Sequence, residues 1–243
     1  MVGAREPQHI VARPGEVAER VVAVGDPARA RMMASMLEGA RLVNERRGFL
    51  VYTGTYRGVP VTVAVHGVGA PSAAIVFEEL SALGARAIVR LGTCGALVEG
   101  LDIGDMVAAT GAGYNPGGAI GQYFGGICPP AAADPELALA VLGEASRRGR
   151  ASAGLVYSSD AFYAEDPGMA RRLAGLGFRC VEMEVAMLYT LAALRGFRAA
   201  SLLVVSDNLV VPGKERLVPH EELEPHVRRA AEAVLEALAR VEV

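Results

Sequence analysis

Short β-branched runs alternate with longer amphipathic stretches along this chain, and this alternation limits the fold more than any other feature. The run Arg20–Val24 is typical of a buried strand and leads into Gly25, after which a helix is predicted over 28–37. A helix predicted over 70–83 precedes a strand at 87–91 and a second glycine turn, Gly92–Gly95. Such alternation predicts an α/β fold whose central, parallel or mixed sheet carries helices on both faces.

The other segments fit one domain over residues 1–243. The residues 49–56 and 59–66 flank Arg57-Gly58 and predict a hairpin, and a long helix is predicted over 220–240. The glycine-rich stretch 111–126 predicts an irregular loop. Single α/β domains of about 250 residues are routine, and no Pro/Ser-rich or charged linker divides the chain.

Composition excludes several classes of function. The net charge is −3 and no Lys/Arg run exceeds a pair, which is not the pattern of a nucleic-acid-binding protein. No apolar stretch approaches the length of a membrane span, and charges and a proline occupy the first residues, so a cytoplasmic protein is expected. The three cysteines, Cys94, Cys128 and Cys180, lack metal-site spacing and are expected to be buried thiols.

Two strand ends carry residues suited to an anion. Gly25 and the following helix start supply backbone N–H groups, and Arg29 lies one turn into that helix. Arg90 lies in an apolar strand, where an unpaired charge is costly, and Thr93 adds a hydroxyl just beyond it. A tight turn with a solvent-facing arginine is the alternative for the first segment, but together the two segments could hold one phosphate.

Two further segments carry carboxylates. Glu182 and Glu184 either complement a helix dipole or bind a ligand, since one carboxylate can accept both hydroxyls of a ribose diol. Ser206 and Asp207 end an apolar strand, where Asp207 either caps a turn or acts as an acid with a raised pKa. His66, His220 and His226 are expected to be structural, and neither a metal-site pattern nor a nucleophile elbow occurs.

With these segments in view, the chain resembles the nucleoside phosphorylase-I family, and within it the hexameric purine nucleoside phosphorylases and archaeal 5′-methylthioadenosine phosphorylases. The resemblance covers nearly the whole chain and implies a partly barrel-like sheet. It rests on segments that occur in order: His9-Ile10, Gly25-Asp-Pro27 with Arg29, Arg46-Arg-Gly48, Gly67–Ser72, Arg90–Gly95, Ser159–Tyr163, Val181–Glu184 and Ser206-Asp207.

The resemblance implies a role for each matched residue in the phosphorolysis of purine nucleosides. Asp207 is expected to donate a proton to the purine, and Glu184 to hold the ribose. Phosphate ligands are expected to be Gly25, Arg29, Arg90 and Thr93, with Arg47, or alternatively Arg46, from a neighbouring subunit. Nucleoside contacts are expected from His9 of the neighbour and from Val68, Cys94, Gly95, Phe162, Val181, Glu182, Met183, Glu184 and Ser206.

The resemblance also implies the co-substrate, the assembly and the competing functions. Inorganic phosphate is the expected second substrate, with no metal or organic cofactor, and the expected assembly is a hexamer built from three dimers. A nucleosidase that uses water is one alternative, and the phosphate-directed arginines argue against it. A uridine phosphorylase is another; its members carry Gln and Arg where this chain has Ala164-Glu-Asp166. A non-catalytic nucleoside-binding module has no need of Asp207.

Overall fold

The computed structural model describes residues 6–164 and 167–243. Seven α-helices lie in these ranges: α1 (Pro27–Ala34), α2 (Ala70–Ala82), α3 (Gly118–Phe124), α4 (Pro135–Ser146), α5 (Pro167–Gly175), α6 (Val185–Arg195) and α7 (His220–Arg240). The strands described are β1 (Arg20–Val24), β2 (Glu38–Asn44), β3 (Val51–Tyr56), β4 (Val59–Val65), β5 (Ala87–Ala96), β6 (Met106–Tyr114), β7 (Ala131–Ala132), β8 (Ala151–Ser158), β9 (Cys180–Glu182) and β10 (Arg198–Asn208).

All the strands belong to one mixed sheet that is partly closed. Its order is β10-β6-β8-β9-β5-β1-β4-β3-β2, and β7 pairs with β6. β10 also pairs with β5, so the first five strands of that order form a barrel-like ring. β1 runs parallel to both β4 and β5, and β5 runs parallel to β10. The predicted α/β fold with a partly barrel-like mixed sheet is therefore confirmed.

Helices cover both faces of the sheet. In β1, Val21 and Ala23 pack into the core formed with α2 and α6, whereas Val22 and Val24 pack into the core formed with α1, α4 and α7. Apolar residues at successive positions are what a strand buried on both faces requires. Arg90 has the same strand parity as Ile88, which belongs to the α2/α6 core, so its side chain leaves the sheet on that face.

The predicted hairpin is confirmed, but the second glycine turn is wrong. Arg57 and Gly58 both have positive φ, 50° and 78°, and join the antiparallel strands β3 and β4. β5, by contrast, continues as a strand through Gly92 to Ala96, because β10 pairs with it along its whole length. A Cβ atom at Gly92 would overlap the guanidinium of Arg90. Gly92 therefore makes space for a side chain and does not turn the chain.

The predicted loop over 111–126 is also wrong, and for a similar reason. β6 extends to Tyr114, and α3 follows after a short bend. Gly111 lies at a bulge where β6 pairs with both β7 and β8, and a Cβ atom at Gly113 would overlap the ring of Phe178. The glycines permit close packing within a strand. The first helix is shorter than predicted, since it ends at Ala34 and β2 starts at Glu38 to pair with β3.

The cysteine expectation is correct for two residues and wrong for the third. Cys94 and Cys180 are buried thiols on the neighbouring strands β5 and β9, whereas Cys128 is exposed in the stretch between α3 and β7. No helix in the described part of the chain is long and apolar enough to cross a membrane.

Candidate active site

Arg90 is a buried cation at the centre of the sheet. It lies on β5 opposite Ala23 of β1 and Ser201 of β10, and its side chain is 6% exposed. Its Nη2 donates to Glu184 and lies 3.5 Å from Glu182 Oε2. Burial opposes the charge of Arg90, but the two carboxylates outweigh burial and raise its pKa. Its Nε and Nη1 are also buried and have no hydrogen-bond partner within the described residues.

Glu182 and Glu184 occupy the short segment that joins β9 to α6. Glu182 Oε2 accepts the backbone N–H groups of Glu184 (2.7 Å) and Val185 (2.9 Å), and its other oxygen accepts the hydroxyl of Ser158. Glu184 accepts the N–H of Gly69 at 2.6 Å with Oε1 and Arg90 with Oε2. Burial raises the pKa of Glu182. Burial also acts to raise the pKa of Glu184, but the charge of Arg90, together with His66 and the hydrogen bonds from Gly69 and Arg90, outweighs it and the pKa of Glu184 is lowered.

Glu182 is therefore less available to a ligand than Glu184, because it already accepts three hydrogen bonds from its own chain. These donors fix the turn into α6 and aim Glu184 at Arg90. Each oxygen of Glu184 accepts one hydrogen bond and keeps a second lone pair. Glu184 can therefore accept further hydroxyls without giving up either of its partners.

The turn after β1 lies beside the same cluster. The Nη1 of Arg29, one turn into α1, donates to the carbonyl of Leu91 on β5 at 3.1 Å. Burial and the nearby charge of Arg90 lower the pKa of Arg29 to about 10, at which it remains cationic at neutral pH. A Cβ atom at Gly25 would approach the carbonyl of Gly67 to 3.1 Å, so this position favours glycine. Two guanidinium groups thus converge where β1 and β5 run side by side.

Asp207 lies at the end of β10 and is paired with Gly95 of β5 after a bulge. The side chain of Ser206 lies 2.7 Å from Asp207 Oδ1 and 3.2 Å from the carbonyl oxygen of Cys94, and its hydroxyl can donate to either. Burial raises the pKa of Asp207, and the hydrogen bond from Ser206 opposes that rise in part. A Cβ atom at Gly95 would lie 3.2 Å from Asp207 Oδ2, so glycine keeps this carboxyl accessible.

The residues expected to contact the base and the ribose include both buried or half-buried residues and exposed ones. Val181 is buried and paired with Gly95, and Met183 is half-buried beside it. Thr93 is half-buried on β5 between Gly92 and Cys94. Two others are exposed: Val68 is 72% exposed and Phe162 is 49% exposed, and the ring of Phe162 packs edge-on against that of Tyr163.

The residues expected to act across a subunit boundary make no hydrogen bond or ion pair to this cluster within the described chain. His9 is held by its own chain, since its Nδ1 lies 2.8 Å from Glu79 Oε1. Arg46 and Arg47 are exposed on a 3-10 turn over 46–48, where Arg47 has a positive φ of 56°. Nothing in the single chain contradicts their expected roles, which require a second copy.

Sequence reasoning missed the contacts of two residues at or near the site, Gly69 and Glu79. Gly69 donates its backbone N–H to Glu184, and Glu79 accepts the N–H groups of residues 8, 9 and 10 in addition to His9 Nδ1. His66, which the sequence predicts to be structural, is fully buried beside the site. Gly69 precedes Ala70-Pro71, and a glycine before a helix start is a signal for free N–H donors.

The segment that distinguishes purine from uridine enzymes and the possibility of a metal site remain to be placed. Glu165 and Asp166, on which the argument against uridine rests, lie outside the described residues. In the described part of the chain no group of three or more His, Cys, Asp or Glu side chains is arranged to hold a metal ion.

Comparison with known proteins agrees with the arrangement. A family model described as the phosphorylase superfamily matches residues 19–241. A protein of Myxococcus xanthus named DeoD-type purine nucleoside phosphorylase is 42% identical, over 88% of this chain and 89% of its own. One of the same name from Roseobacter denitrificans is 40% identical, over 94% and 97%. A Thermococcus kodakarensis protein named uridine phosphorylase is 37% identical, over 86% and 82%.

The family match covers every strand and helix described above, and its bounds enclose the cluster around Arg90, Glu184 and Asp207. The fold, the order of the site segments and the full-length relatives lead to the same conclusion: this chain is a member of the phosphorylase superfamily.

Proposed function

We propose that this chain is a purine nucleoside phosphorylase, which cleaves the N-glycosidic bond of a purine nucleoside with inorganic phosphate. The products are the free base and ribose 1-phosphate, and the reaction needs no metal or organic cofactor. The printed names of the Myxococcus and Roseobacter relatives support the proposal.

One observation carries the proposal. Arg90 donates to Glu184 through Nη2, and its two other nitrogens, Nε and Nη1, are buried and have no hydrogen-bond partner in the described chain. Unsatisfied buried donors are costly, and a bound oxyanion would satisfy them. An anion at this position would lie next to the carboxylate that is suited to a ribose diol. Phosphate and ribose therefore meet at one side chain, as phosphorolysis requires.

Phosphate is held and aimed by the converging cations. Arg90 and Arg29 would bind its oxygens, assisted by Thr93 and the backbone at Gly25, and Arg47 of a second subunit would complete the set. Glu184 would accept the 2′- and 3′-hydroxyls, with Met183 beneath the sugar. Held in this way, phosphate lies against the anomeric carbon, where it both attacks and offsets the positive charge that develops on the ribose.

Asp207 would protonate the leaving base. Negative charge builds up on the purine as the glycosidic bond breaks, and a neutral carboxyl at the base N7 relieves it. The raised pKa of Asp207, caused by burial, favours the protonated form that this role needs. Phe162 and Val181 would line the base, with Cys94 and Gly95 along its edge and Ser206 holding the acid.

The site is proposed to be shared between subunits. Arg47 is exposed and His9 is half-buried at the chain surface, so both can reach a second copy. His9 would approach the 5′ position of the neighbour's nucleoside, and Val68 would border it. A symmetric dimer supplies this exchange in both directions, and three such dimers would form the proposed hexamer.

Uridine is the second candidate substrate, because a relative named uridine phosphorylase is 37% identical to this chain. The test is kcat/KM in saturating phosphate for inosine, adenosine, 5′-methylthioadenosine and uridine. The proposal predicts that at least one purine nucleoside exceeds uridine by tenfold or more, about 1.4 kcal/mol in transition-state binding. A preference for uridine, or no cleavage of any of the four, would contradict it.

A further inference from the structure

The imidazole of His66 is completely buried and carries no hydrogen bond in the described chain at either ring nitrogen. Its backbone is fixed: the N–H donates to Val24 at 2.8 Å, and the carbonyl accepts the hydroxyl of Ser72 at 2.7 Å. The ring packs at 5.5 Å from that of Phe77. A buried polar group with no partner is costly, and such groups in native structures call for an explanation.

The position of His66 supplies that explanation. It directly follows β4 on the sheet face that carries Arg90, and a Cβ atom at Gly25 would lie 3.6 Å from its Cε1. The charged groups that face it are Glu184 at the start of α6, Arg90 on β5 and Arg29 on α1. Burial and, to a smaller extent, the two guanidinium groups outweigh Glu184 and the backbone of Gly67 and lower the pKa of His66 to about 4, so the ring is neutral in the free protein.

The charges around His66 balance only while the pocket holds no anion. Arg29 and Arg90 contribute two positive charges, and Glu182 and Glu184 contribute two negative charges when ionised. A phosphate dianion adds two more negative charges to a buried cluster. Even with Arg47 from a second subunit the cluster stays net negative, which a low-dielectric interior disfavours.

We propose that His66 is a positioning residue of the anion pocket, which takes up a proton from solvent when an oxyanion dianion binds beside Arg90 and Arg29. The proton adds to a ring nitrogen, and no other bond changes. The resulting imidazolium attracts both Glu184 and the bound anion and so fixes their positions relative to each other. The two guanidinium groups that keep the ring neutral become engaged by the anion, and the anion itself stabilises a positive ring. This inference rests on the proposed phosphate site.

Proton uptake fixes the sign of a pH dependence. Because the complex binds a proton that the free protein does not, anion affinity falls as pH rises through the pKa of His66 in the complex. Sulfate is the suitable probe, since it remains a dianion across the neutral range while phosphate itself titrates. For one linked proton, sulfate affinity should fall about tenfold per pH unit above that pKa.

The test is calorimetric titration of the intact protein with sodium sulfate at pH 7.0, in PIPES and in Tris, whose ionisation enthalpies differ. The difference in apparent binding enthalpy gives the number of protons taken up. Wild type should take up a measurable fraction of a proton, approaching about one at lower pH. His66→Gln should reduce that number toward zero, whereas the matched control His226→Gln on α7 should retain it.

Each result decides between interpretations. Sulfate binding by wild type without proton uptake refutes the inference and leaves the phosphate site standing, even if His66→Gln fails to fold. Uptake that persists in His66→Gln, or that disappears in His226→Gln, assigns the proton elsewhere and also refutes it. If neither sulfate nor phosphate binds to wild type, the proposed phosphate site is wrong, and the inference is wrong with it.

Discussion

Replacing Arg90 with methionine tests whether the buried charge cluster is as tightly balanced as its contacts indicate. Methionine keeps much of the side-chain volume but leaves Glu184 and Glu182 in the interior without their cation. Removing one partner of a buried ion pair destabilises a protein by about 3–5 kcal/mol, because a charge is left uncompensated. Loss of the two unpartnered nitrogens of Arg90 offsets part of this cost, so about 3 kcal/mol is expected.

The pKa shifts of the two carboxylates determine how the loss of stability in Arg90→Met changes with pH. In wild type the pKa of Glu184 is lowered, so this carboxylate stabilises the fold above its unfolded pKa, and that stability is lost as pH falls through the folded value. Without Arg90, the pKa values of Glu184 and Glu182 both rise. The deficit of the variant should therefore be full at pH 8 and should shrink as pH falls toward 5, where the folded variant takes up protons.

The assay is urea unfolding at equal protein concentration, since the stability of the proposed oligomer would depend on concentration. Arg86→Met is the matched control: Arg86 pairs with Glu19 on the surface at 2.8 Å, and both side chains are more than half exposed. Exposed pairs contribute less than about 1 kcal/mol. A loss in Arg90→Met no larger than in Arg86→Met, or a loss independent of pH, would refute the reasoning.

Three further predictions address the site. Asp207→Asn should cripple cleavage of inosine but spare a 7-methylated purine nucleoside, whose base needs no protonation; equal losses of kcat/KM would make Asp207 structural. Arg47→Ala and Asp207→Asn should each be nearly inactive, and mixed oligomers should recover activity; verified mixed oligomers no more active than their parents would place both residues in one subunit's site. Gly92→Ala should displace Arg90 and destabilise by about 1–3 kcal/mol, measured by urea unfolding against Gly100→Ala, where a Cβ meets nothing within 4 Å; equal stabilities would contradict the packing argument.

Local patterns predicted the fold well wherever one strand or helix decides its own boundaries. Arg57-Gly58 forms the hairpin turn, as the sequence predicts. They failed where distant packing decides. The local pattern predicts a turn at Gly92, because glycine often marks one. In the structure Gly92 is a strand residue whose missing side chain leaves room for Arg90, and no local pattern contains that requirement.

The sequence predicts which residues form the candidate site but not which of them contact each other. The sequence alone picked out Arg90, Glu184 and Asp207 by residue type and position at strand ends. It did not indicate that Arg90 and Glu184 are partners, because they are 94 positions apart in the chain. The sequence predicts a structural role for His66 because it has no metal-site spacing with the other histidines, and only its burial without a hydrogen-bond partner in the described chain distinguishes it.

The central claim is that the donors left free on Arg90 serve a phosphate that attacks the nucleoside. The most direct test is to incubate the protein with inosine at increasing phosphate concentrations and to quantify hypoxanthine, ribose 1-phosphate and free ribose. The account predicts that hypoxanthine release requires phosphate, saturates with it and yields one ribose 1-phosphate per base. Hypoxanthine release with free ribose, at a rate independent of phosphate, would show that water is the nucleophile and would contradict the account.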